Sequence, residues 1–315
     1  MTTAVLAVDV GGTTMKGAVI DALGRARHAE ARATFADGRA ALANLQTFLQ
    51  DLRTECGRLG AHATAAAVVT PGLVDDRTGH VEVAHNLKWT ALPLQELLAD
   101  ATGLPVAVGN DARAAGRAEY LLADPRPESF ALVPIGTGIS AALVLHGRAI
   151  SGATHAAGEF GHVPVREDGA LCACGLRGCL EAYASGSAII RRYRERGGRR
   201  AGTTAAIPAL LGRDRVADLV WEDAIEALAS GLLSMTMMFD PGVIVIGGGL
   251  SHAGDALLAP LRVAVERRML WRAAPEITRS ALGSLAGRTG AAVLAFERAG
   301  LGDLVTGWTV AGVMA

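Results

Sequence analysis

Lysine is almost missing from this 315-residue chain: Lys16 and Lys88 are the only two, and arginine carries the remaining positive charge. That skew, with the abundant alanine and glycine, follows genome composition rather than function. Charge of either sign is not in excess, since 30 basic residues stand against 31 acidic ones for a net of -1. The balance removes the electrostatic case for nucleic acid as the main partner. Long apolar runs are lacking too. The longest candidate, Gly242 to Leu250, is short and glycine-rich, far from the roughly 20 residues that span a bilayer. The opening residues, Met1 to Leu6, have neither the basic segment nor the cleavage site of a leader peptide. No low-complexity linker is evident, and no helix-turn-helix pattern precedes the first apolar run. The expectation is a soluble cytoplasmic protein with no membrane and no nucleic-acid partner. Half of the residues are hydrophobic and 19% are charged, so a sizeable core is available, and the length suggests two domains around a shared cleft.

What is present alternates between strand and helix signals. Val5 to Asp9 and Met15 to Asp21 read as two strands around a tight glycine turn. Leu42, Leu45, Leu49, Leu52 and Cys56 recur at helical spacing and predict a helix over 39–56 with Cys56 in the core. A buried strand is expected at Ala65 to Val69, a helix at Leu92 to Ala101 and a short strand at Val106 to Val108. The last of these ends at Gly109-Asn110-Asp111. Ala224 to Met238 reads as a buried helix, broken by Asp240-Pro241-Gly242 before a strand at Val243 to Ile246, with an amphipathic helix over 255–270 beyond it. The class is therefore α/β. A shift of 124 positions lays Val10 to Ile20 over Pro134 to Val144, with Gly12-Thr13 falling on Gly136-Thr137. Two copies of one hairpin imply two related domains; a coincidental match between two glycine-rich hairpins is the alternative, because turns draw on few residue types.

The turn Asp9-Val10-Gly11-Gly12-Thr13-Thr14 has the composition of a phosphate cradle. Gly11 and Gly12 let the backbone approach phosphate oxygens, Thr13 and Thr14 add hydroxyl donors, and Asp9 can hold Mg²⁺ through its water shell. A strand rather than a helix follows, which separates it from a Walker A loop and from a dinucleotide fingerprint. An ordinary hairpin turn has the same residues. The turn is joined, in order, by Ile135-Gly136-Thr137-Gly138 and Ile246-Gly247-Gly248-Gly249, and the set resembles the ATPase fold shared by actin, hexokinases and Hsp70. The resemblance implies a two-domain actin-like, ribonuclease H-like fold in which the first two loops grip ATP phosphates and the third lies near the adenosine.

Cysteine is scarce, yet three of the four crowd together as Cys172, Cys174 and Cys179, ten to seventeen residues after His162. Four such ligands suit a closed tetrahedral zinc site of structural type. His85 and His155 show no ligand spacing.

Gly158-Glu159-Phe160-Gly161-His162, followed by Cys-X-Cys-Gly-X-X-Gly-Cys-X-Glu at 172–181, resembles the ROK family of bacterial sugar kinases and repressors. Pro71-Gly72-Leu73-Val74-Asp75, Asn86-Leu87-Lys88-Trp89 and Gly109-Asn110-Asp111-Ala112 fit the same pattern. The resemblance covers nearly the whole chain, weakest over 201–221 and the last dozen residues. It implies an ATP-dependent kinase with Asp111 as general base and with Asn86, Asn110, Asp111, Glu159, His162 and Glu181 holding sugar hydroxyls. From position alone, Asn110-Asp111 could equally cap the helix that follows. The implied reaction carries the ATP γ-phosphate to the 6-hydroxyl of a hexose, glucose first. N-acetylmannosamine, mannose, allose or a sugar-like cyclitol would keep the chemistry and change the acceptor. A sugar-responsive repressor would share the fold but need a DNA-binding module, and polyphosphate could replace ATP as donor. The implied assembly is a homodimer or homotetramer. The domain expectation is 1–112 plus about 290–315 for one domain and 113–289, with the zinc segment, for the other. Two departures stand out: Ile139-Ser140-Ala141-Ala142 replaces the family's further glycines, which puts a bulkier backbone at the second loop, and the apolar tail from Thr306 has no counterpart and is expected to pack on a surface.

Overall fold

The computed structural model describes residues 2–315. The chain forms two compact units, 1–126 with 147–156 and 284–315, and 127–146 with 157–283. Relative to the sequence expectation, the first unit also takes the helix after Asp111, the segment 147–156 and the residues from 284.

In the first unit the order is β1 (Thr2–Val10), β2 (Thr14–Asp21), β3 (Ala26–Ala33), α1 (Gly38–Arg58), β4 (Ala61–Thr70), β5 (Leu73–Asp75), β6 (His80–Ala84), β7 (Trp89–Leu92), α2 (Leu94–Thr102), β8 (Val106–Asn110) and α3 (Asp111–Leu121). The main sheet runs β3-β2-β1-β4-β8, and β5-β6-β7 form a small antiparallel sheet. β1 lies at the centre with Ala4 to Val8 fully buried, which is why it reads as an unbroken apolar run. Asp37 caps α1 by accepting the Ala40 N–H at 2.9 Å. The expected stripe of α1 is buried at Leu45, Leu49, Leu52 and Cys56, joined by Phe48.

β1, β4 and β8 are parallel, and their register aligns Asp9 with Val69 and Val69 with Gly109. Asp9 and Gly109 therefore lie level on β1 and β8, the strands on either side of β4, about 10 Å apart, two interstrand spacings.

The second unit contains β9 (Ser129–Pro134), β10 (Ala142–Leu145), α4 (Glu181–Ala184), α5 (Gly186–Glu195), α6 (Arg215–Phe239), β12 (Val243–Gly247), α7 (Asp255–Glu266) and β13 (Glu276–Arg279). The two-residue strand β11 (Arg148–Ala149) belongs to the first unit and packs against α3. The strands of the second unit run β10-β9-β12-β13, with β9 and β10 antiparallel and β9, β12 and β13 parallel. This repeats β2-β1-β4-β8, so the echo at offset 124 is a repeat of topology as well as of residues.

Two helices differ from their sequence limits. α6 starts at Arg215 rather than Ala224, because Asp214 caps it through the N–H groups of Val216 and Ala217. α7 stops at Glu266 instead of continuing to Leu270.

The first unit is closed by α8 (Ala286–Arg298), which packs on β1, β4 and α3, and by α9 (Val310–Met314). The tail packs on its own unit. Trp308 is buried, edge-on to Phe296 at 5.4 Å, and its Nε1 donates to the Ala22 carbonyl at 3.0 Å. Among the described residues, no helix is long and apolar enough to cross a membrane.

Candidate active site

In the first glycine turn, the Gly11 N–H donates to the Thr14 carbonyl at 3.0 Å, closing the loop. Thr34 pins it from outside, its N–H to Thr13 O at 2.9 Å and its hydroxyl to Gly11 O at 2.8 Å. Among the described residues the amides of Gly12 and Thr13 make no hydrogen bond, so they are the donors left for an anion. Asn86, in the short turn between β6 and β7, lies beside this loop, its Cβ 3.7 Å from where a Gly12 Cβ would stand.

Asp9 sits at the end of β1, and burial, reinforced by the charge of Asp111, raises its carboxyl to about 6 against Lys16 and Arg288, which pull it down. Two carboxylates that repel in a partly buried site are what a divalent cation would relieve, so the residues fit Mg²⁺. Arg288 and Gly287, in the first turn of α8, escape sequence reading because a Gly-Arg pair carries no spacing signal. Burial lowers the Arg288 guanidinium, and Asp9 counteracts this.

Asp111 opens α3. Its Oδ1 accepts the Ala112 N–H at 2.7 Å. Asn110 is the N-cap: its Oδ1 accepts the Arg113 N–H at 3.0 Å and its Nδ2 donates to Gly72 O at 3.1 Å. The capping role open from sequence thus falls to Asn110. A brace not legible in sequence fixes this corner. Buried Arg113 grips Asp76 through Nε at 2.8 Å and Nη2 at 3.1 Å, and also donates to Val74 O and His155 O. Asp76 Oδ1 in turn accepts the Asn110 N–H at 3.1 Å. A bidentate ion pair on a buried guanidinium is a stiff support.

In the second unit, the loop after β9 turns through Gly136-Thr137-Gly138, with the Gly136 N–H bonded to Gly138 O at 2.9 Å and Ile135 bridged to Ile139. The amides of Thr137 and Gly138 make no hydrogen bond among the described residues. The expected bulk of the next residues is turned inward: Ile139, Ala141 and Ala142 are buried. The third loop is tied to the second, since Ile135 N–H donates to Gly247 O at 3.1 Å and Leu250 N–H to Ile135 O at 3.0 Å. Gly248, at φ +71°, allows this approach; a Cβ there would lie 2.5 Å from Ile135 O.

The thiol cluster assembles as the spacing predicts. The ligand atoms of His162, Cys172, Cys174 and Cys179 all lie within 4.8 Å of one another. His162 Nδ1 is 3.7 Å from Cys172 Sγ, and Cys174 Sγ is 3.7 Å from Cys179 Sγ. Two thiolates on one tetrahedral zinc at about 2.3 Å would stand about 3.8 Å apart. Burial, then the neighbouring thiols, pushes Cys179 up to about 12, whereas the Leu176 backbone N–H holds Cys174 below the usual thiol range. The other nitrogen of His162, Nε2, is 3.9 Å from Glu159 Oε2. Glu181, two residues after Cys179, directs its Oε2 at the Ile139 N–H, 2.8 Å away.

A model of the ROK family matches residues 5–298. Glucokinase from Streptomyces coelicolor is 31% identical over 93% of this chain and 97% of its own length. The N-acetylgalactosamine kinase AgaK from a Shewanella species is also 31% identical, over 91% and 95%. A ROK family glucokinase from Streptomyces griseus, solved in complex with glucose and AMPPNP, superposes with a TM-score of 0.80 at 30% identity, covering 93% of this chain and 99% of the other. The fold is accordingly the actin-like ATPase fold, and the chain belongs to the ROK family, among its sugar kinases.

Proposed function

We propose that this enzyme transfers the γ-phosphate of ATP to the 6-hydroxyl of a hexose, with glucose as acceptor and Asp111 as general base. The observation that carries the mechanism is the corner at the end of β8, where the Asn110 cap and the Arg113–Asp76 brace hold Asp111 at the first position of α3, within electrostatic reach of Asp9. A carboxylate fixed in this way can take the proton of an attacking hydroxyl. Mg²⁺ held through Asp9 would supply charge neutralisation of the phosphate oxygens. The Gly12, Thr13, Thr137 and Gly138 amides, with the Thr13, Thr14 and Thr137 hydroxyls, would bind the phosphates, and Gly247 to Gly249 would lie by the adenosine.

On the acceptor side, Asn86, Asn110, Glu159, His162 and Glu181 would hold the sugar hydroxyls. Zinc on His162, Cys172, Cys174 and Cys179 would brace the segment that carries three of them. The ion would be structural, because four protein ligands leave no open position.

Glucose is supported by the Streptomyces relatives, while the Shewanella enzyme, equally similar, is a kinase of an N-acetylated hexosamine. A pocket built on hydrogen bonds separates such acceptors strongly. The test is a panel of glucose, mannose, N-acetylmannosamine and N-acetylgalactosamine in a coupled ADP-release assay. Glucose should lead in kcat/KM by at least about tenfold. Turnover of an N-acetylhexosamine with silence on glucose would reassign the acceptor.

A further inference from the structure

Glu181 belongs, on the reading above, to the acceptor side, yet its carboxylate is built into the second phosphate loop. Oε2 accepts the Ile139 N–H at 2.8 Å. The same oxygen would lie 2.6 Å from a Cβ on Gly138 and 3.1 Å from one on Gly161, so the carboxylate is wedged between the loop and the turn that carries His162. Glu181 has little freedom to leave. Leu180 N–H donates to Val163 O at 2.9 Å, and Pro164 is bridged to Cys179, which ties position 181 to the thiol segment.

The loop and that segment meet at four further points. Ala141 N–H donates to Gly158 O at 2.8 Å, Gly161 N–H to Ile139 O at 3.2 Å, Gly186 N–H to Gly136 O at 2.7 Å, and the Ser187 hydroxyl to Thr137 O at 2.6 Å. The carboxylate contact is the one made by an ionisable side chain, and it falls on the residue next to Gly138. By holding the Ile139 N–H it fixes the Gly138–Ile139 peptide plane, whose carbonyl, Gly138 O, accepts the Gly136 N–H at 2.9 Å and so closes the loop that presents the Thr137 and Gly138 amides.

We infer that Glu181 is a positioning residue for the phosphoryl donor: it orients the loop that presents the Thr137 and Gly138 amides. This rests on the kinase reading of the site but not on which sugar is phosphorylated. Two effects oppose each other when the carboxylate is removed. Loss of the strut loosens the loop and weakens nucleotide binding, and loss of a negative charge near phosphates strengthens it. The strut dominates here, because the carboxylate charge is already engaged by a backbone donor in a partly buried site. Linkage then requires that a sugar which tightens Glu181 on Ile139 should raise nucleotide affinity by the same factor by which nucleotide raises sugar affinity.

The experiment measures the Kd of a non-hydrolysable ATP analogue with Mg²⁺, without sugar, on full-length metal-loaded protein checked by zinc content and melting temperature. Glu181→Ala should weaken binding about tenfold. Glu181→Asp, whose carboxylate is withdrawn by one methylene, should weaken it by a similar factor. Glu181→Gln keeps an oxygen acceptor for the Ile139 N–H and should stay within about twofold of wild type. If Glu181→Ala does not fold, the Asp and Gln variants decide. Equal nucleotide affinity in all variants would confine Glu181 to the acceptor, and tighter binding in the Ala and Gln variants would show that charge repulsion wins; either result overturns the inference. A wrong acceptor would appear instead as wild-type enzyme that binds nucleotide normally and does not turn over glucose.

Discussion

Oδ2 of Asp9 lies 2.5 Å from the point where a Cβ on Gly287 would stand, and its Cγ lies 2.7 Å from that point. The carboxylate therefore rests against bare backbone in the first turn of α8, and a methyl group there must displace it. Gly287→Ala should reduce kcat/KM for Mg–ATP by at least about tenfold while changing the melting temperature little, since alanine favours the helix. Steady-state kinetics with a thermal melt checks this, and unchanged kinetics would mean that Asp9 has no fixed place in nucleotide binding.

Asp9 also stores a cost. Its carboxyl titrates at about 6 in the fold against an ordinary value of 3.8. Ionised Asp9 therefore opposes folding; the cost begins near pH 4 and is complete above pH 6. Asp9→Asn should stabilise the ligand-free protein at pH 8 by roughly 2 to 3 kcal/mol and by about half as much at pH 5, while abolishing activity. Denaturant unfolding at the two pH values reads the difference. An equal gain at both would rule out ionisation as its source.

Asp111→Asn should lower kcat by about 10²- to 10⁴-fold, the usual worth of a general base, and leave sugar and nucleotide affinities within a few-fold. The cap on α3 comes from Asn110, so the helix should survive the change. Calorimetric titration beside turnover assays separates binding from chemistry. Near-normal turnover would remove Asp111 from the mechanism.

Metal analysis of purified protein should return one zinc per chain. Cys174→Ser, at the exposed cysteine of the cluster, should lose most of it, lower the melting temperature, and raise KM for the acceptor more than it lowers kcat. A fully loaded, unperturbed Cys174→Ser protein would exclude Cys174 as a ligand.

Much of this was legible because its signals are local. Three cysteines within eight residues, a glycine turn between two apolar strands and a stripe at helical spacing each declare themselves within one window. Arg288, Gly287 and the Arg113–Asp76 brace do not. They come from elements distant in sequence, and each is a single common residue whose meaning depends on what the fold sets beside it. The N-terminal turns of α6 were hidden for another reason: 215–223 is too polar to read as the start of an apolar helix until Asp214 is seen to cap it. The burial of Ile139, Ala141 and Ala142 is likewise not legible, since sequence does not say on which side of a loop a side chain lies.

The repeated strand order carries an asymmetry of charge. At offset 124, Asp9 corresponds to Val133 and Lys16 to Ser140, so the hairpin of the first unit has an acid and a base where that of the second has an apolar and a neutral residue. The two hairpins therefore share a backbone path but not an electrostatic one: a carboxylate stands beside the first turn, and the second has no charged side chain at the matching positions.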